Sequence, residues 1–139
     1  MSGRWCRDER GSATEFAMVT PVLLAMLLLL IYAARLNRTQ AELDGAARDA
    51  ARAASIERDA GSAAGAAQNT AAATLGGAGV NCTAFNVVTD TGAFGPNGTV
   101  RVQVSCTVGL SDLGLLGVPA SRTMSASFLA PVDRLRGTS

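Results

Sequence analysis

The sequence predicts an α+β protein: a long N-terminal transmembrane helix, extended by an alanine-rich helix, then a small antiparallel β-meander. Three observations predict it. Phe16 to Ala34 is a run of nineteen uncharged, mostly apolar residues, long enough to cross a bilayer. From Arg35 to Arg58 alanine, leucine, arginine and glutamate dominate, and no proline interrupts them. Beyond Val80 the apolar spacing changes from helical to alternating, most clearly in TVRVQVSCTV, residues 99–108.

The apolar run comes first. As a helix it spans about 28 Å, one hydrocarbon thickness. A cleavable signal peptide has a shorter apolar region and small residues at its cut. Here the only small pair, Ala33-Ala34, follows Ile31 and Tyr32. A retained anchor fits better. The arginines do not set its direction, because Arg4, Arg7 and Arg10 precede the run while Arg35, Arg38, Arg48 and Arg52 follow it. The short N-terminal tail and the long C-terminal part, with two of the three cysteines in that part, favour the N-terminus inside and the C-terminus outside the cytoplasmic membrane. The expected division is a cytoplasmic leader (1–12), a transmembrane helix (13–34), an alanine-rich extracytoplasmic helical region (35–75) and a sheet domain (79–135).

At the entrance of the run, Ser12-Ala13-Thr14-Glu15 fits a capping box. The Ser12 hydroxyl would accept from the Glu15 N–H, and the Glu15 carboxylate would reach back to Ser12. An acid in the first turn also suits the positive end of the helix dipole. Pro21 falls too deep to be a first-turn proline; it removes the donor for the Ala17 carbonyl and is a candidate helix kink.

The helix is expected to continue unbroken from Ala13, with Gly45 as a weak spot. Leu36, Leu43, Ala47, Ala50 and Ala54 recur at helical spacing and make a narrow stripe of mainly small residues. Arg38, Glu42, Arg48, Asp49 and Arg52 lie opposite, as a solvated face. Ala46, Ala50 and Ala54, four apart, would let another backbone approach closely, although an alanine-rich composition generates such spacing unaided. Gly61 breaks the pattern, and a second alanine-rich helix ends at Gly76-Gly77.

Three strands follow. Val80 to Val88 is a rough one, residues 99–108 the clearest, and Arg122 to Ala130 a third with Met124, Ala126 and Phe128 inward. TDTGAFGPNG is the turn between the first two, and LSDLGLLGVPA connects the last two. With the hairpin centred near Phe94, Cys82 and Cys106 stand opposite each other on one face and can form a disulfide. Closing that loop of about 25 residues stabilises by roughly 3.5 kcal/mol in the chain-entropy model. The other reading is two buried thiols.

Several functions are excluded or disfavoured. The chain has no histidine, so neither a Ser/His/Asp nor a Cys/His set can form. There is no C-x-x-C pair, phosphate-binding glycine loop or dinucleotide fingerprint. A net charge of +1 leaves no excess cation for nucleic acid. No catalytic, metal or cofactor site is expected.

RGSATEFAMVTPVLLAMLLLLIYAAR, then DGAARDAARAAS, then VPASRTMSASFLAPVD together resemble the TadE/TadG-like family of tight-adherence pilus-assembly proteins, in the alanine-rich form typical of actinobacteria. The resemblance implies a pilin-like, single-pass membrane protein, a minor pseudopilin or assembly factor of a type IVb-like pilus. It implies membrane lipid, other pilins, a secretion ATPase, a platform protein and a prepilin peptidase as partners. In processed members a glycine precedes the cut and an acid follows five residues later. By resemblance Gly11 is the candidate cleavage glycine, Ser12 the new terminus and Glu15 the acid that pairs with a neighbouring subunit's amine. Here only Ser12, Ala13 and Thr14 stand between glycine and acid, one fewer than the pattern, and members that are never cut also occur. The alternative reading is a secreted small binding domain with a cleaved N-terminal signal peptide.

Overall fold

One helix, α1 (Glu9–Ser55), carries both the apolar run and the first alanine-rich stretch. It belongs to a computed structural model that describes residues 9–109, 117 and 121–132, with residues 9–14 described through their backbone. Neither Pro21 nor Gly45 ends the helix. It starts four residues before the expected Ala13, because Glu9 and Arg10 are good helix formers and no proline stops them. Ser12 therefore lies within the helix and is not its N-cap; its side chain, the other half of the expected capping box, lies outside the described residues.

The chain forms two compact units, residues 1–37 and residues 38–139. In the first, the side chains from Phe16 to Ala34 are exposed, with Tyr32 alone half-buried. A helical face with nothing packed on it is what lipid contact requires. Among the described residues, the buried ones belong to the second unit.

That unit contains the end of α1, a second helix α2 (Ala60–Gly77), and three strands: β1 (Ala84–Asp90), β2 (Thr99–Gly109) and β3 (Ser121–Pro131). The strands form an antiparallel sheet in the order β1-β2-β3, the expected meander. Most of the connection between β2 and β3, LSDLGLLGVPA, lies outside the described residues.

Helix α2 is set by its two ends. Asp59 has extended backbone and caps the start, its carboxylate accepting from the Ser62 N–H at 2.8 Å and from the Ser62 hydroxyl at 2.9 Å. The backbone bond first, and the hydroxyl second, hold the Asp59 carboxyl below its ordinary pKa. At the other end the Val80 N–H donates to Leu75 C=O (3.0 Å) and the Gly79 N–H to Gly76 C=O (3.2 Å). With Gly79 at φ 73° this is a Schellman stop, and Val80 and Leu75 both join the core. Because Val80 completes the helix stop, β1 begins at Ala84 rather than at Val80.

The register also differs from expectation. Asp90 pairs with Arg101 and Phe85 with Cys106, so the hairpin is centred between Gly95 and Pro96 and not at Phe94. The loop itself causes the shift. The Phe94 N–H bonds Thr91 C=O (3.0 Å), Gly98 N–H bonds Gly95 C=O (2.7 Å), and Thr99 N–H bonds Ala93 C=O (3.1 Å). Asn97 takes a left-handed φ of 64°, and at Gly98 any Cβ would collide with the Ala93 carbonyl. Cys82 consequently precedes β1 instead of facing Cys106 across the ladder.

The two cysteines are nevertheless joined by a disulfide, with Cα atoms 5.4 Å apart. Beside it the Thr83 N–H (2.7 Å) and hydroxyl (2.9 Å) both donate to Thr107 C=O. The bridge thus fastens the segment entering β1 to the central strand.

One face of the sheet is covered. Val100, Val102, Val104 and Cys106 of β2, with Ala126 and Ala130 of β3, are buried in one cluster with Leu43, Ala46, Ala47, Ala50, Ala51 and Ala54 of α1. Ala63, Ala67, Ala71 and Leu75, each four apart on α2, complete it. Of the three β3 side chains expected inward, Ala126 is buried, Met124 is half-buried and Phe128 remains 38% exposed. The Phe128 ring lies under the Arg48 guanidinium, 5.4 Å from its centroid.

Candidate functional site

The expected site residues fall into two groups. Gly11, Ser12, Glu15 and Pro21 lie on α1 ahead of or within the apolar run; Cys82 and Cys106 lie in the sheet-bearing unit.

The first group shares a continuous helical backbone. Gly11 and Glu15 are four residues apart, hence on the same face one turn from each other. The Glu15 side chain is exposed. Beyond it the Thr20 hydroxyl donates to the Phe16 carbonyl at 2.6 Å. This local bond lets a hydroxyl enter hydrocarbon without an unmet donor. Pro21 follows immediately and has no N–H to offer Ala17. From Phe16 to Ala34 the helix presents apolar side chains on every side, among them Leu23, Leu27 and Leu30. This is the one stretch among the described residues long and apolar enough to cross a membrane.

Residues 11–52 match the family model described as TadE-like protein. The match opens on the candidate glycine, takes in Ser12, Glu15, Pro21 and the whole apolar run, and closes in the alanine-rich part of α1. The TadE-like segment thus contains every expected processing and assembly residue, while α2, the sheet and the disulfide lie outside it. No curated protein and no solved structure matches the chain.

The arginine-bearing face of α1 is exposed at Arg38, Arg48, Asp49 and Arg52, whereas the alanine stripe is covered within the chain. Ala46, Ala50 and Ala54 are fully buried within this chain, so their close-packing surface is already covered in the sheet-bearing unit. Arg48 is exposed, as expected of a solvated face, and also lies over the Phe128 ring, while the Gln40 amide donates to Ser125 C=O at 3.3 Å. Both contacts tie the C-terminal part of α1 to β3. Local sequence carries no signal for either, because the partners are about eighty residues apart. The Asp59 cap was legible in principle as an acid placed before a run of small residues. Among the described residues no group of three His, Cys, Asp or Glu side chains could hold a metal ion.

Proposed function

We propose that this chain is a structural, non-enzymatic membrane component of a tight-adherence, type IVb-like pilus, acting as a minor pseudopilin or assembly factor. The observation that carries this reading is the coincidence of three features on one segment. The TadE-like match, the uncharged run and the acid at its entrance all lie within residues 11–52. In this reading α1 is a single-pass anchor in the cytoplasmic membrane. The N-terminus lies inside, and the disulfide-bearing unit faces an oxidising exterior.

Glu15 is the residue proposed to guide assembly, by pairing with a cation of a neighbouring pilin. Its role as a mere cap has less support now that α1 begins at Glu9. Glu15→Ala is expected to leave the protein in the membrane and to reduce pilus formation. Normal pili in that variant would remove Glu15 from assembly.

Processing by a prepilin peptidase is testable separately. The Gly11–Ser12 peptide bond lies within α1, two residues from its start, so cleavage requires the first turn to open. Mass spectrometry of the membrane-bound protein decides. A terminus at Ser12 supports the processed-pilin route, and an intact leader supports a permanent anchor. A terminus near Arg35 would show a discarded signal peptide and overturn the proposal.

A further inference from the structure

Charge is distributed unevenly around the apolar run. Glu15 stands at its N-terminal margin and Arg35 at its C-terminal margin, and between Glu15 and Glu42 the sequence has no acid. Glu15 and Arg35 are twenty residues apart on an unbroken helix, about 30 Å, which equals the hydrocarbon thickness. With Glu15 at one hydrocarbon boundary, Arg35 is at the other, where its long side chain extends outward to the lipid phosphates. The chain's single tyrosine, Tyr32, lies three residues before Arg35 and so on the neighbouring turn of the same face. Tyrosine is enriched at this depth, where its ring lies against acyl chains and its hydroxyl meets water and headgroups.

We propose that Tyr32 and Arg35 form a headgroup site for anionic phospholipid at the C-terminal margin of the span. This rests on α1 crossing a bilayer. The guanidinium is planar, always charged, and presents N–H donors in a fork that matches two phosphate oxygens. It has five such donors, so it holds a phosphate alongside the contact it already makes within the chain. Within six residues of Arg35 on either side the sequence has no acid. A headgroup bound there fixes the depth of the span.

The test uses the full chain in phosphatidylcholine vesicles carrying small amounts of spin-labelled phosphatidylglycerol or spin-labelled phosphatidylcholine. Flotation of the vesicles first reports whether the protein is inserted. The ratio of protein-restricted label then gives the lipid preference. The wild type is expected to prefer phosphatidylglycerol about five-fold, the factor that one cation near the membrane surface contributes. Arg35→Gln should abolish most of that preference, Arg35→Lys should keep much of it, and about 1 M salt should suppress it. Equal association of both labels with the wild type, or an undiminished preference in Arg35→Gln, overturns the proposal while leaving the span intact. Failure of the wild type to float removes the span and the lipid site together.

Discussion

Reduction of the Cys82–Cys106 disulfide is expected to lower the stability of the sheet-bearing unit by about 3.5 kcal/mol. The bridge closes a loop with a sequence separation of 24, and the entropy it removes from the unfolded chain sets this figure. The effect should be large relative to the whole, because small domains have only about 5–15 kcal/mol to lose. Here the core is lean: its largest fully buried side chains are one leucine, three valines and the bridged Cys106. Comparing oxidised and reduced wild type is cleaner than a serine variant, since a hydroxyl at the fully buried Cys106 position would add a desolvation cost. Urea titrations of the full chain in detergent, followed by circular dichroism, should show a lower midpoint. Amide exchange should locate the first loss of protection in Val80–Asp90, the segment that the bridge fastens to β2. Coincident titration curves for the two redox forms would show that the bridge contributes nothing.

The parts of this fold that were legible in the sequence are those governed by local periodicity. The uncharged run from Phe16 to Ala34, the alanine-rich continuation and the alternation of Val100 to Val108 each fix an element through side-chain spacing alone. The strand order β1-β2-β3 is the order of the strands along the chain, each pairing with the next. What was not legible depends on backbone bonds that no spacing encodes. The register of β1 against β2 is decided by Thr99 bonding Ala93 and by the conformations of Asn97 and Gly98, which shift Cys82 out of the ladder. The start of β1 is decided by Val80 serving the helix stop at Gly79. Similarly, the stripe of Ala46, Ala50 and Ala54 allowed a close-packed partner, but alanine-rich composition alone gives the same spacing; the sheet-bearing unit buries the stripe internally. For the candidate site, the order of Gly11, Ser12, Glu15 and the apolar run was plain from the residues. The position of the helix start at Glu9 was not, because leader residues with ordinary helix propensity carry no stop signal.

The same side chain has opposite duties at the two ends of α1, and this gives the second large effect. Leu43 is fully buried and is the largest such side chain in the core. Its neighbours in the cluster are mostly alanines, whose single methyl groups cannot move far enough to refill a vacated site. Leu43→Ala is therefore expected to destabilise the sheet-bearing unit by about 3 kcal/mol, combining lost transfer energy with an unfilled cavity. Leu24, in the middle of the apolar run, is 55% exposed and touches no core. Leu24→Ala should leave the urea midpoint unchanged within about 0.5 kcal/mol. Leu24→Arg should instead oppose insertion by about 3 kcal/mol, the cost of a charge at the centre of a spanning helix. Measuring the three variants side by side, by urea titration and by membrane fractionation, separates folding from anchoring. Were Leu24→Ala to lower the midpoint as Leu43→Ala does, the apolar run would be part of a folded core and not a surface for lipid.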